Sequence, residues 1–346
     1  MSEIRAAITE LVEGRALAPE RLEAAFGEIM DGEAAPAATA GLLVALRMKG
    51  ETPDEIVAVA RALRSRATTV EARDPRVLDT CGTGGSGLDT FNISTTAAFV
   101  VAGAGVTVAK HGNRAATSRA GSFDVFEALG IRIDLPIEVC GRILDEVGIA
   151  PFFARTAHPA FRHVAPVRAE LGVRTLLNCL GPLLSPVGAR YQVVGVYSSA
   201  LVEPLARALI ALGSERVLVV HGDDGMDELT TTGASDAVLA ERGAGLERLR
   251  VEPDRLGLPK ARLADLVGGS AEENARTTRE ILAGAPGPHR DIVLLNAAAA
   301  LWVAEAVSGL EEGLARAARS IDEGAAAGRL EALQKATAQA GEAHPQ

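Results

Sequence analysis

Six residues, Gly82-Thr83-Gly84-Gly85-Ser86-Gly87, carry four glycines, a density that no helix or strand tolerates. Each glycine costs about 0.5–1 kcal/mol of extra backbone entropy in a regular element, so the run belongs where the chain turns sharply and approaches a ligand. Apolar Val77-Leu78 precedes it, and a helix-like run, Thr95-Thr96-Ala97-Ala98-Phe99-Val100-Val101-Ala102, follows. Strand, glycine loop and helix start together make an anion site. Free N–H groups and the positive end of the helix dipole face one ligand. The chemistry this permits is the cradling of a phosphate.

Neighbouring residues extend that reading. Asn92, Ser94 and Thr95 offer an amide and hydroxyls at the helix start, where an ordinary N-cap is the competing explanation. Lys110 and Arg114 bring cations to a chain of net charge −10 that has only four lysines, Lys49, Lys110, Lys260 and Lys335; a solvated loop is the alternative. Thr117, Ser118 and Ser122 suit phosphate oxygens, although Ser and Thr also serve turns. Asp227-Glu228 follow a strand pattern and a turn, where adjacent carboxylates suit Mg²⁺ shared with a substrate phosphate. Asp223-Asp224 compete for that role, and spacing alone does not choose between the pairs.

These segments also carry a resemblance. Gly82-Thr-Gly-Gly85, Asn92-Ile-Ser-Thr95, Lys110-His-Gly-Asn-Arg114, Arg162-His-Val-Ala-Pro-Val-Arg168, Arg174-Thr175, Asn178-Cys-Leu-Gly-Pro-Leu183 and Gly225-Met-Asp-Glu-Leu229 occur in that order. Over nearly its whole length the chain resembles the anthranilate phosphoribosyltransferases of tryptophan synthesis. The resemblance implies transfer of a phosphoribosyl group from 5-phosphoribosyl 1-pyrophosphate (PRPP) to the amino group of anthranilate. It implies a PRPP site of Gly82, Gly85, Ser86, Thr90, Asn92, Ile93, Ser94, Thr95, Lys110, His111, Gly112, Asn113, Arg114, Ala115, Ala116, Thr117, Ser118 and Ser122. Anthranilate would meet Gly82, Asn113 and Arg168, whose planar fork suits a carboxylate. Mg²⁺ would be held by Asp227 and Glu228, with Ser94 as a hydroxyl ligand. An aromatic amine is uncharged at neutral pH, so His111, His158 and His163 are assigned no role as general base. Three positions depart from the family pattern: Ser86 replaces the usual Asp, Thr117 a Ser, and Arg119 a Lys. Ser86 removes a charge, which bears on a second Mg²⁺ or on the ribose phosphate. A homodimer is also expected from the resemblance.

Two other functions remain as alternatives. A pyrimidine nucleoside phosphorylase uses a related loop for inorganic phosphate, but Arg168 and Asn113 argue against it. A non-catalytic nucleic-acid binder needs a broad basic face, which a net charge of −10 denies.

The elements that must position these residues fall into two kinds. Residues 1–70 read as helices: Thr52-Pro53-Asp54-Glu55 is a strong start signal, and Ile56, Val57, Val59, Ala60 and Leu63 follow at helical spacing. After Pro75, short β-branched runs at Val77-Leu78, Val106–Ala109, Tyr191–Tyr197 and Arg216–His221 alternate with helices. That pattern predicts an α/β fold with a mostly parallel sheet flanked by helices, plus a small all-α domain. Ala234–Glu252 reads as a hairpin, and three helices close the chain. The resemblance implies that about 162–185 returns to join residues 1–70 in the small domain, leaving 74–161 and 186–340 as the large, PRPP-binding one.

Composition agrees with that class. The chain has 346 residues, 48% hydrophobic and 3% aromatic, enough to bury a large core packed by small side chains. Its longest apolar stretches fall short of the roughly 20 residues of a membrane span, and no leader pattern opens the chain, so a cytoplasmic protein is expected. Three cysteines without CxxC spacing make neither a disulfide framework nor a zinc site. Cys81, beside the glycine loop, reads as a small buried residue rather than a nucleophile.

Overall fold

Four helices open the chain: α1 (Glu3–Val12), α2 (Pro19–Met30), α3 (Pro36–Lys49) and α4 (Pro53–Arg64). The start of α4 follows from its sequence. Thr52 Oγ1 accepts from the Glu55 N–H at 3.3 Å and the Glu55 carboxylate accepts from the Thr52 N–H at 3.0 Å, a capping box with Pro53 just inside. The protein is described by a computed structural model over residues 2–115 and 119–343. Ala116, Thr117 and Ser118 lie outside the described residues.

Beyond α4 come β1 (Leu78–Gly82), α5 (Ile93–Gly103), β2 (Val108–Gly112), α6 (Ser122–Ala128), α7 (Ile137–Val147) and β3 (Ile149–Phe153). The short α8 (Ala154–Ala157) and α9 (Ala165–Leu171) follow, then β4 (Tyr191–Gly195), α10 (Val202–Ala211) and β5 (Arg216–Gly222). A hairpin, β6 (Ser235–Glu241) and β7 (Gly245–Val251), precedes α11 (Ala271–Leu282), α12 (Pro288–Val303), α13 (Leu310–Asp322) and α14 (Ala325–Ala343). Among the described residues seven strands form one sheet in the order β3-β2-β1-β4-β5-β6-β7. The first five are parallel, and the hairpin adds two antiparallel strands at one edge.

Both faces of the sheet are covered, which is why its strands read as continuous apolar runs. On β5, Val217 and Val219 enter one buried cluster with α1–α4, Val164, Val167, Leu176–Leu184 and α10. Leu218 and Val220 point the other way, into a cluster with α5–α7 and α11–α14. Arg64 ties α4 to the rest: Nε donates to the Leu183 carbonyl at 2.6 Å and Nη1 to that of Leu212 at 2.9 Å. Among the described residues no helix is long and apolar enough to cross a membrane.

Three features differ from the sequence reading, the first being α14 (Ala325–Ala343), a fourth closing helix where three were expected. β3 is a strand that the reading omits; Ile149-Ala-Pro-Phe-Phe153 contains a proline, tolerated because β3 lies at the sheet edge. β2 also begins and ends later than the Val106–Ala109 run. Lys110 and His111 are therefore strand residues with buried side chains, not loop residues.

Candidate active site

Four parallel strands, β1, β2, β4 and β5, end on glycine: Gly82, Gly112, Gly195 and Gly222. Strand order reverses between β1 and β4, and the carboxyl ends at such a switch point are where open α/β sheets take ligands. The glycine loop leaves β1 at that point. Gly84 and Gly85 have φ of +68° and +81°, a left-handed conformation that L side chains rarely adopt. Gly82 is needed for a different reason, since a Cβ there would stand 2.5 Å from Asp227 Oδ2. Its register partner Gly195 is packed still more tightly, against the Asp227 backbone carbonyl.

Those two glycines let the segment after β5 lie across the ends of β1 and β4. Asp227 Oδ2 accepts from the Gly84 N–H at 2.8 Å, and Glu228 Oε1 accepts from the Ser94 N–H at 3.1 Å at the start of α5. The carboxylates thus bridge the glycine loop and the helix start. Asp223 and Asp224 are engaged elsewhere. Asp223 pairs with Arg250, while Asp224 accepts from the Thr230 and Thr232 hydroxyls at 2.7 and 2.6 Å and from the Met226 N–H. Burial, then the neighbouring Asp227 carboxylate, pushes Glu228 up to about 7. Two acids sharing a crevice form a site with surplus negative charge, which a divalent cation would relieve. Among the described residues no three His, Cys, Asp or Glu gather as a closed cage. A pair of carboxylates still fits Mg²⁺, which keeps waters and substrate oxygens as its other ligands.

The helix start is used differently from a simple cap. Asn92 precedes α5, yet its side chain does not cap the helix. Its Oδ1 accepts from Asn274 Nδ2 at 2.9 Å and its Nδ2 donates to the Ala120 carbonyl at 3.2 Å, tying α5 to the loop after β2. Ile93 and Thr95 are buried, Thr90 is partly exposed, and the Ser86 hydroxyl faces the Leu88 N–H of its own turn.

The loop after β2 is closed at its base by a residue that sequence reasoning missed. Asp124 Oδ2 accepts from the Ala115 and Gly121 N–H groups, each at 2.8 Å. Ser122 Oγ donates to the Asn113 carbonyl at 3.3 Å, and Gly112 has no room for a Cβ beside Ser122. Asn113 and Arg114 are exposed; Arg114 turns to Glu127 at 2.9 Å. Lys110 is buried, and its ammonium donates to the Thr80 carbonyl within β1.

Arg168 stands on α9, partly buried, which draws its guanidinium below the ordinary arginine value. It has no side-chain partner among the described residues. Arg174 donates to the Gly85 carbonyl and lies 4.6 Å over the Tyr197 ring, so the chain after α9 reaches the glycine loop. His111 and His158 meet edge to face at 5.2 Å. Burial lowers them to about 3 and about 4, so both are neutral and weakly basic near pH 7. Cys81 is buried, and burial raises its thiol well above the usual range, which leaves no thiolate to attack.

Gly195, Asp124 and Asn274 are the site residues without a sequence signal: each sits singly in an ordinary element, and only tertiary contact gives it a task. With the geometry in hand, comparison with known proteins is direct. Residues 5–67 match the glycosyl transferase family helical bundle domain, and 74–327 match the glycosyl transferase family a/b domain. The anthranilate phosphoribosyltransferase of Symbiobacterium thermophilum is 52% identical over 334 residues, 96% of this chain and 98% of that one. That of Moorella thermoacetica is 52% identical over 330 residues, 95% and 97% of the two chains. The crystal structure of the Thermus thermophilus enzyme superposes with a TM-score of 0.90 at 45% identity, covering 98% of this chain and all of that one. The Saccharomyces cerevisiae enzyme in complex with PRPP and Mg superposes with a TM-score of 0.89 at 27% identity, covering 97% and 98%. The chain belongs to the anthranilate phosphoribosyltransferase family.

Proposed function

We propose that the carboxyl edge of β1, β2, β4 and β5 is where this chain carries out its family's reaction. That reaction transfers the phosphoribosyl group of PRPP to the amino group of anthranilate, giving N-(5-phosphoribosyl)anthranilate and pyrophosphate, the second step from chorismate toward tryptophan. The observation that carries the assignment is the seating of Asp227 and Glu228 on the amides of Gly84 and Ser94.

The transferred ribose carbon becomes oxocarbenium-like while pyrophosphate departs, so positioning and electrostatics do most of the work. Gly82, Gly85, Ser86, Thr90 and the Asn92–Thr95 segment are assigned to the pyrophosphate and ribose. Lys110 through Arg114, Ala115 and Ser122 are assigned to the phosphates from the other side, with Ala116, Thr117 and Ser118 outside the described residues. Arg114 must then exchange Glu127 for phosphate. Asp227, Glu228 and the Ser94 hydroxyl are assigned to Mg²⁺, which when bound neutralises charge on the leaving pyrophosphate. Arg168, without a side-chain partner among the described residues, is assigned to the anthranilate carboxylate, with Asn113 and Gly82 near the ring. No general base is assigned. The aniline-type nitrogen is already neutral and attacks as pyrophosphate leaves. The proton it then sheds goes to water or the departing pyrophosphate, and the low values of His111 and His158 argue against a histidine base.

In this reading residues 1–70 and about 162–185 form the small domain facing the sheet edge, the chain works in the cytoplasm, and it pairs as a homodimer. The direct test follows the loss of anthranilate fluorescence with PRPP and Mg²⁺. Cleavage of uridine or thymidine with inorganic phosphate, and no turnover of anthranilate, would overturn the reading.

A further inference from the structure

Helix α12 buries an almost wholly apolar run, Ile292-Val-Leu-Leu-Asn-Ala-Ala-Ala-Ala-Leu301, with one polar side chain in it. That residue, Asn296, is 3% exposed. Its Oδ1 accepts from the Leu229 N–H at 3.0 Å, while Nδ2 donates to the Leu229 carbonyl at 2.8 Å and to the Ile292 carbonyl at 2.9 Å. Two carbonyls on one side and an N–H on the other allow a single orientation of the carboxamide. A buried amide demands partners, yet the Ile292 carbonyl alone lies within its own helix. The two bonds to Leu229 reach a different part of the chain, the residue directly after Glu228.

The other end of that segment is pinned as well. Met226 donates its N–H to Asp224 at 3.0 Å, and its carbonyl accepts from the Gly222 N–H at 2.9 Å. Asp227 and Glu228 are therefore the two residues between a fixed Met226 and a fixed Leu229. We propose that Asn296 is a positioning residue for the carboxylate pair. By gripping both backbone groups of Leu229, it sets where Asp227 and Glu228 stand against Gly84 and Ser94. The inference rests on the metal role proposed for those carboxylates, and extends it to a helix that contributes no ligand.

The test compares the parent with Asn296→Leu, which keeps the branched shape of the side chain and removes all three hydrogen bonds. Asn296→Ser is the second variant, because its hydroxyl can return to the Ile292 carbonyl and spare the helix while releasing Leu229. Mn²⁺ binding is followed by water-proton relaxation with PRPP present, corrected for the Mn²⁺ that PRPP holds in solution. A folded Asn296 variant should bind Mn²⁺ at least tenfold more weakly, with the Michaelis constant for anthranilate at saturating Mg²⁺ changed less than twofold. A lower melting temperature with parental Mn²⁺ affinity would reduce Asn296 to packing and overturn the proposal. Asp227→Asn with Glu228→Gln serves as control. Loss of Mn²⁺ there but not in the Asn296 variants overturns the positioning role alone. Parental affinity in the control overturns the metal reading itself.

Discussion

Gly195 and Asp227 are in contact that leaves no space for a side chain: a Cβ at Gly195 would lie 1.6 Å from the Asp227 carbonyl oxygen. Gly195 is the last residue of β4, and Gly82, its partner on β1, leaves similar room for the Asp227 carboxylate. The pair of glycines is thus a slot through which the acidic segment crosses the sheet edge. Gly195→Ala should push that segment outward, because backbone cannot yield as a flexible side chain can. Overpacking of this kind costs typically ~1–3 kcal/mol, and here it should appear as lost turnover and raised Mg²⁺ demand. Gly328→Ala, exposed on α14 with nothing within 4 Å, is the control and should be neutral or slightly stabilising. Parental activity and Mg²⁺ dependence in Gly195→Ala would show that the slot has no function.

Arg168 is an arginine without a partner among the described residues, and partial burial disfavours its charge. Such a group gains most from an arriving carboxylate. Arg168→Ala should raise the Michaelis constant for anthranilate about ten- to a hundredfold, the worth of one charge-assisted hydrogen bond, and leave that for PRPP nearly unchanged. Aniline should be a poor substrate for the parent. Equal use of aniline and anthranilate would remove Arg168 from the site.

Ser86 occupies a place where the resembled pattern carries Asp, and its hydroxyl faces its own turn rather than the carboxylates. Ser86→Asp adds a charge to a loop that already holds Asp227 on its amide, so the Mg²⁺ titration of activity at saturating PRPP should shift. Asp227→Asn with Glu228→Gln keeps shape and removes charge, and should lower turnover strongly with the circular dichroism spectrum unchanged. Full activity in that double variant would be fatal to the metal assignment. Superimposable titrations of parent and Ser86→Asp would dispose of the loop effect alone.

Much of this site was legible because it is local in sequence. A glycine loop between a strand and a helix is written in consecutive residues, and so is an adjacent carboxylate pair after a strand. The choice between Asp223-Asp224 and Asp227-Glu228 was not legible from spacing, because it is made by Arg250, Thr230 and Thr232. Gly195 and Asn296 were invisible for a related reason. A glycine closing a strand and an asparagine in an alanine-rich helix become informative only when another segment docks on them. β3 was missed because Pro151 argues against a central strand, and the sequence does not say which strands are edges. Lys110 stands one residue past the apolar run Val106–Ala109, so the sequence does not place it in a strand; in the fold β2 continues to Gly112 and holds it inside the sheet.

His158 ties acid sensitivity to the same core. Its Nε2–H donates to the Leu184 carbonyl at 2.9 Å, its Nδ1 has no partner, and His111 and Arg64 are its charged or titratable neighbours. Burial, the largest cause, lowers it to about 4, with Arg64 adding to the shift. A pKa below the unfolded value near 6.5 means that the unfolded chain binds the proton more readily. The contribution is therefore fully present above about 6.5 and is lost as pH falls toward about 4. Asp79, raised by burial to about 6, acts in the opposite sense, gaining stability as pH falls through that value. The whole-protein curve mixes the two effects, so a variant must isolate the histidine. Gln at position 158 can still donate to Leu184 but cannot titrate. Urea unfolding at pH 7 and pH 4.5 should show His158→Gln losing less stability on acidification than the parent, by on the order of 2–3 kcal/mol. The same loss in both proteins would mean that His158 takes up a proton as readily in the fold as in the unfolded chain, contrary to its burial.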